Sequence, residues 1–224
     1  MSVVVAIKKE DKIYIGSDSQ VTRGGTRRTL NNPNNYKIWK VRGVDNCLMA
    51  HVGNVRDANV IRLIDGLVTD YDAYKNNVDY EYVVKNIVPD IVNALKARGF
   101  VKDEPYLDHM DSCFLFAFQN QLYMINTDGC VIEIDDYVAI GSGSDQAIGS
   151  LLSTEDEPSK TRIIKAIKAS AASDIYVDYP IILSDTKNTE FEVINETNET
   201  KYLKGNKRHS LKFGGKTIWI IMSS

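Results

Sequence analysis

The chain has 224 residues, of which 43% are hydrophobic and 25% charged, enough for one large globular domain and short of two ordinary ones. Its formal net charge of −3, with the basic residues scattered, excludes a general attraction to nucleic acid or to an anionic membrane. No apolar stretch is long enough to span a bilayer, and the opening run Val3 to Ile7 is too short and wrongly flanked for a signal peptide, so a cytoplasmic protein is expected. Cys47, Cys113 and Cys130 are odd in number and far apart, each in an apolar run, and read as buried free thiols. The three histidines, His51, His109 and His209, are dispersed without ligand spacing, so neither a metal site nor a cofactor is expected.

In chain order, residues 3 to 8 and 13 to 16 are β-branched runs separated by Lys9-Glu10-Asp11-Lys12, which predicts a hairpin. The polar segment Arg23 to Asn35 is expected to be a loop. Tyr36 to Val41 and Cys47 to Val52 predict a second strand pair turning at Gly43 to Asn46. From Val55 to Tyr71 apolar residues recur at helical spacing, and Tyr82 to Ala97 carries a second such stripe, which Pro89 kinks or splits and Gly99 ends.

Four further strands, Ser112 to Phe118, Gln121 to Asn126, Cys130 to Ile134 and Tyr137 to Ile140, read as a β-meander. Gln146 to Leu152 and Thr161 to Ala172 predict two more helices. Pro180 to Leu183, Phe191 to Ile194 and Thr217 to Met222 suggest strands around the polar stretch Asn195 to Arg208. Strand pairs, two helices, more strands and two more helices fit an α+β protein, a sandwich of two antiparallel sheets covered on both outer faces by helix pairs.

A serine hydroxyl is a poor nucleophile until a base takes its proton. Gly141-Ser142-Gly143-Ser144 lacks the Gly-x-Ser-x-Gly pattern, and no histidine has a triad context, so an ordinary serine hydrolase is not indicated. The chain start offers another base, because a free α-amine titrates near pH 7.7–8.0. Ser2 is small enough to permit removal of Met1, and the Val3 to Ile7 strand would hold the new terminus. A cation held by a carboxylate would favour deprotonation there, and Lys37 and Asp18 are the candidates.

The stretch Ser2-Val-Val-Val-Ala-Ile-Lys-Lys, continued by Ile13-Tyr-Ile-Gly-Ser-Asp18-Ser-Gln, resembles the start of a mature proteasome β-subunit, and more closely the bacterial HslV peptidase. Lys37-Ile38-Trp39-Lys40-Val41 is similar to the segment that carries the family's catalytic lysine. Ala50-His51-Val52-Gly53-Asn54-Val55 resembles its strand-to-helix junction, where the resemblance makes Gly53 the oxyanion donor. Tyr137 through Ser142-Gly-Ser-Asp resembles the turn whose serine lies beside the nucleophile's amine, a place that falls to Ser142. Ala166-Ile167 through Ser173-Asp174 is similar to the helix end before the family's buried aspartate, matched by Asp174.

The resemblance, over roughly residues 2 to 180, implies the four-layer αββα sandwich of N-terminal nucleophile hydrolases in a single domain spanning 1–224. Residues from about 183 to 224 would be a C-terminal extension. It also implies a threonine-type endopeptidase with Ser2 as nucleophile, acting on peptides or unfolded proteins in a homo-oligomeric ring. Thr22 and Val55 would bind peptide backbone, and Val21 with Ala50 or His51 would shape the specificity pocket. An ATPase unfoldase would be a separate protein, since the chain has no Gly-x-x-x-x-Gly-Lys-[Ser/Thr] loop. Two departures stand out: Ser replaces the usual Thr, and Val177 and Asp178 occupy the region of a serine in the family's amine network. A non-catalytic ring subunit would keep the fold but leave Met1 in place, and an amidase acting on a small molecule would keep Ser2 and its base but present a closed pocket instead of a peptide groove.

Overall fold

In the computed structural model, residues 2–68, 78–104, 107–196, 208–213 and 216–221 are described. The first strands are β1 (Val4–Lys9), β2 (Lys12–Ser17), β3 (Gln20–Arg23), β4 (Thr26–Thr29), β5 (Ile38–Lys40) and β6 (Cys47–Gly53). Helix α1 (Val55–Ile61) follows, then α2 (Val88–Lys96), entered through a short helical turn at Tyr80–Tyr82 and a π-helical turn at Val83–Ile87. Next come β7 (Lys102–Glu104), β8 (Leu107–His109), β9 (Ser112–Phe118), β10 (Gln121–Ile125), β11 (Val131–Glu133) and β12 (Tyr137–Ile140). Helices α3 (Ser144–Leu152) and α4 (Ser159–Ser173) then precede β13 (Ile181–Asp185) and β14 (Glu192–Ile194).

One sheet has the order β12-β1-β2-β13-β14 and the other β11-β10-β9-β6-β5, with antiparallel pairing throughout. Burial on both faces explains the unbroken apolar run at the chain start. Val3, Val5 and Ile7 pack against Ala147, Leu151, Ile163 and Ile167 of α3 and α4, while Val4 and Ala6 face the second sheet. On β6 the alternation repeats: Leu48, Ala50 and Val52 face the inter-sheet core, and Cys47 and Met49 face the layer that holds Ile61, Ile91 and Leu95 of α1 and α2. Helix, sheet, sheet, helix is the four-layer αββα arrangement.

Several local expectations change. Arg23 to Asn35 is not simply a loop, because β3 and β4 pair around Gly24-Gly25, both at positive φ as a tight hairpin turn requires. β4 is exposed along its whole length, so no apolar alternation marked it. The helix predicted from Val55 stops at Ile61. Beyond it Gly66 adopts φ 73°, and Leu67 and Val68 reach the core from a turn rather than a helix; the last predicted helical residues, 69–71, lie outside the described ones.

Pro89 is accommodated rather than disruptive: it sits in the first turn of α2, where its missing N–H is tolerated, behind a π turn in which Val88 N–H bonds to the Val83 carbonyl. The β-meander covers β9, β10 and β11 only, since β12 crosses to the other sheet and pairs with β1. Cys47 is buried as expected, but Cys113 is only partly buried and Cys130 is exposed beside a turn.

The chain divides into two compact units, residues 1–194 and 195–224. Residues 183–194, predicted as the start of an extension, join the first sheet: β13 pairs with β2, and β14 with β13. In the second unit β15 (Arg208–Phe213) and β16 (Lys216–Ile221) form an antiparallel hairpin with Arg208 opposite Ile221. Among the described residues no helix is long and apolar enough to cross a membrane.

Gly141 tests how tightly the terminal strand is seated. It has φ 103°, and an added Cβ would lie 2.2 Å from the Ser2 carbonyl oxygen. Gly24, at φ 54°, has open space around it. Gly141→Ala should therefore lower the unfolding free energy by more than the roughly 1–2 kcal/mol expected from positive φ alone, the cost assigned to Gly24→Ala, as read from urea midpoints at constant m.

Candidate active site

The starts and ends of β1, β2, β5 and β6 bring Ser2, Asp18, Lys37 and Gly53 together, and the β12–α3 turn adds Ser142. Asp18 directly follows β2 and is fully buried. Its Oδ1 accepts the Val3 N–H at 3.0 Å and the Lys37 ammonium at 2.6 Å, and its Oδ2 accepts the Gln20 N–H at 2.9 Å. In return the Asp18 N–H donates to the Val3 carbonyl at 3.2 Å. Two backbone donors and a cation compensate the desolvation of a carboxylate that has no access to water.

Lys37 precedes β5 and is 3% exposed, and its ammonium makes a second bond to the Gln20 carbonyl at 2.7 Å. Burial pushes its pKa below the ordinary lysine value, while the charges of Asp18 and, more distantly, Asp174 act the other way. Gln20 was not singled out in the sequence, although it sits in the same Asp18-Ser-Gln segment. Besides receiving Lys37, it ties β3 to the segment after α4 through Nε2 bonds to Thr22 Oγ1 at 2.9 Å and to the Ile175 carbonyl at 2.8 Å.

Ser2 is 4% exposed. Its N–H donates to Ser142 Oγ at 3.0 Å, and its carbonyl accepts the Gly143 N–H at 3.3 Å and the Ser142 hydroxyl at 3.4 Å. The Gly141-Ser-Gly turn between β12 and α3 thus clasps Ser2, two residues ahead of β1. Ser170 of α4 holds that turn from behind, donating from Oγ to the Gly143 carbonyl at 2.7 Å. No motif marked Ser170; only helix packing brings it there.

Asp174 caps the C-terminal end of α4, with Oδ1 accepting the Tyr176 N–H at 2.8 Å and Oδ2 buried without a partner among the described residues. It lies behind the site as an electrostatic neighbour of Lys37 rather than in its wall.

A cavity of about 850 Å³ opens beside Ser2 and Lys37, lined among others by Val21, Thr22, His51, Gly53 and Val55. Ala50 is the exception among the predicted lining residues. It is fully buried and faces the inter-sheet core, because adjacent residues on β6 point to opposite faces.

Gly53, at φ 118°, ends β6 where an added Cβ would lie 2.4 Å from the Asp111 carbonyl oxygen. Just beyond, Ser112 Oγ receives the Asn54 N–H at 3.0 Å and donates to Asp57 Oδ2 at 2.8 Å, and Arg56 bridges Asp57 at 3.2 Å and Asp111 at 2.7 Å. Burial raises the pKa of Asp57, against the pull of Ser112 and Arg56. This network fixes the Gly53 turn and was invisible to motif reading.

His51, 2% exposed, is pushed down to a pKa of about 3, first by burial and then by the positive charges of Lys37 and Arg62. Its ring is therefore neutral near pH 7. Among the described residues no group of three or more His, Cys, Asp or Glu is placed to hold a metal ion.

Comparison with known proteins agrees with this architecture. The chain is 27% identical over 181 residues to the ATP-dependent protease subunit HslV of Thermosipho africanus, covering 79% of this chain and 93% of that protein. The solved structure of Thiobacillus denitrificans BPH in complex with Epoxomicin superposes with a TM-score of 0.61 at 20% identity, over 87% of this chain and all of that one. The Anbu (Gly-1) mutant from Hyphomicrobium sp. strain MC1 gives a TM-score of 0.64 at 15% identity, over 91% of each chain, a likeness of fold alone. The family model described as "Proteasome subunit" matches residues 2–176, so the chain belongs to the proteasome subunit family.

Proposed function

We propose that the chain is a peptidase whose nucleophile is Ser2, active once removal of Met1 frees the Ser2 α-amine, and that it hydrolyses peptide bonds through an acyl-enzyme. One observation carries the reading: the buried Asp18–Lys37 pair holds Val3, the residue after Ser2, and Ser2 and Lys37 together line an open cavity. Among the described residues Ser2 is the one serine that lines this cavity.

The freed amine takes the Ser2 hydroxyl proton as Oγ attacks the peptide carbonyl. Lys37, held charged by Asp18, lowers the pKa of that amine and stabilises the developing negative charge at Oγ. The Gly53 N–H stabilises the oxyanion. The protonated amine then gives its proton to the departing peptide amine, leaving an ester on Ser2. Water, deprotonated by the same amine, attacks the ester and releases the acid. Ser142, whose Oγ already receives the Ser2 N–H, orients the amine, and Asp174 supports the cation from behind.

Thr22 and Val55 flank an extended peptide, and Val21 with His51 forms the wall that meets its side chain. Substrates are peptides or unfolded proteins. The working assembly is a homo-oligomeric ring, in line with the HslV-like relatives, and delivery of folded substrates falls to a separate ATPase.

Ser2→Ala should abolish turnover, by about 10³-fold or more, together with covalent labelling by an electrophilic peptide inhibitor. Labelling that persists in the variant would place the nucleophile elsewhere. N-terminal sequencing of the protein from its natural host should find Ser2 first; full retention of Met1 would leave a non-catalytic subunit.

For kcat/KM against pH, the acid limb should fall at or below the ordinary α-amine range of about 7.7–8.0, because the Lys37 cation disfavours the protonated amine. The alkaline limb, as Lys37 loses its proton, should fall below the usual lysine value, since burial lowers it. Lys37→Ala should cost activity and also about 3–5 kcal/mol of stability, because it strands the Asp18 carboxylate in the interior; activity and urea midpoints check the two effects separately.

A further inference from the structure

Arg62 caps the C-terminal end of α1 and is half-buried, yet among the described residues no acidic group pairs with it. Asp65, three residues on, is paired with Arg42, and burial alone lowers the Arg62 pKa. A guanidinium in this position recovers its lost hydration only through hydrogen bonds. Here they all go to main-chain carbonyls: Nε donates to Ala58 of its own helix at 3.2 Å, Nη2 to Tyr36 at 2.9 Å, and Nη1 to Asn34. The group also lies over the Trp39 ring, 5.0 Å from its centroid.

These contacts bracket Lys37. The chain reaches it through a 3-10 turn at Pro33–Asn35, and residues 31–35 are exposed and polar or proline, so no apolar side chain anchors the approach. Tyr36 is the first buried residue, and its carbonyl is one of the two that Arg62 holds. On the far side the Lys37 carbonyl accepts the His51 N–H at 3.0 Å and β5 pairs with β6. Arg62 thus ties the incoming side of Lys37 to α1, as the strand ladder ties its outgoing side. The planar fork suits this task, since its donors keep a fixed angle and hold two carbonyls relative to each other, which the point charge of an ammonium does not do.

The constraint matters because the Lys37 ammonium meets two acceptors at once, Asp18 Oδ1 at 2.6 Å and the Gln20 carbonyl at 2.7 Å. In an active site a misplacement of about 1 Å costs on the order of 10²-fold in rate. Arg62 does not line the cavity, so it acts through Lys37 and not on substrate. Resting on the peptidase reading above, we propose that Arg62 is a positioning residue whose guanidinium, by holding the Asn34 and Tyr36 carbonyls, keeps the Lys37 ammonium at Asp18 and beside the Ser2 amine.

The test compares processed wild type, Arg62→Met and Arg62→Lys, with rates normalised to the Ser2 sites labelled by an electrophilic peptide and urea midpoints measured separately. Met keeps an apolar stem over Trp39 without donors or charge, whereas Lys keeps the charge and reaches one carbonyl. The charged groups that face Lys37 are Asp18 and Asp174, with His51 neutral beside it, so the acid limb of kcat/KM reports how close the Lys37 cation sits to the amine. Arg62→Met should lower kcat by about 10-fold or more with KM within about two-fold of wild type. Its acid limb should move to higher pH, because a cation that has drifted away no longer disfavours the protonated amine. Arg62→Lys should fall between the two in both readouts.

An acid limb unchanged in Arg62→Met, whatever happens to the urea midpoint, overturns the proposal and leaves the peptidase intact. A loss carried by KM alone, or a wild-type profile in Arg62→Lys, overturns it equally. Should Arg62→Met fail to fold, the Arg62→Lys profile decides by the same criterion. Absence of both labelling and cleavage in the processed wild type overturns the peptidase reading itself, and the positioning role with it.

Discussion

The buried pair of Asp18 and Lys37 is the interaction on which the rest of the site depends. An ion pair taken out of water is tolerable only when its remaining valences are filled, and here they are filled by backbone from two segments, the Val3 N–H and the N–H and carbonyl of Gln20. Satisfying the charges therefore fixes the geometry. The beginning of β1, the exit of β2 and the entry to β5 cannot shift independently without stranding a charge, so the proposed nucleophile and the proposed cation are set in register by one electrostatic requirement.

A second constraint acts on the chain start from the opposite side. β1 is buried on both faces, between α3 and α4 on one and the second sheet on the other. At its end the Gly141-Ser-Gly turn approaches so closely that there is no room for a side chain at Gly141. Ser170 holds the turn through the Gly143 carbonyl, so the packing of α4 on the sheet reaches Ser2 by way of two hydrogen bonds. Rigid layers position the site, and the cavity opens where the β3–β4 hairpin and the β6–α1 junction leave the layers.

On one side of the cavity wall Asp57, Ser112, Arg56 and Asp111 pair with one another and brace the Gly53 turn. On the other, the His51 ring, 2% exposed, packs against Trp39.

Much of this was legible in the sequence because it is local. The apolar periodicity gave the sandwich's strands and helices, and the segments around Ser2, Asp18, Lys37, Gly53 and Ser142 carried the family resemblance. What stayed illegible depends on register, face and side-chain reach. Position 50 or 51 could each have lined the pocket; only the pleat of β6 turns Ala50 inward and His51 to the cavity. The exposed hairpin β3–β4 has no apolar pattern to reveal it, and β12 follows a meander in sequence yet pairs with β1, since strand partners are chosen by tertiary packing. Gln20, Ser170 and Asp57 became part of the site only when the sheets closed. Sequence by itself determined which chemical groups the chain possesses and which elements carry them, because short-range periodicity and motif spacing are properties of neighbours. Tertiary structure alone decided which of those groups share a desolvated space, because burial and hydrogen-bond satisfaction are long-range conditions met all at once.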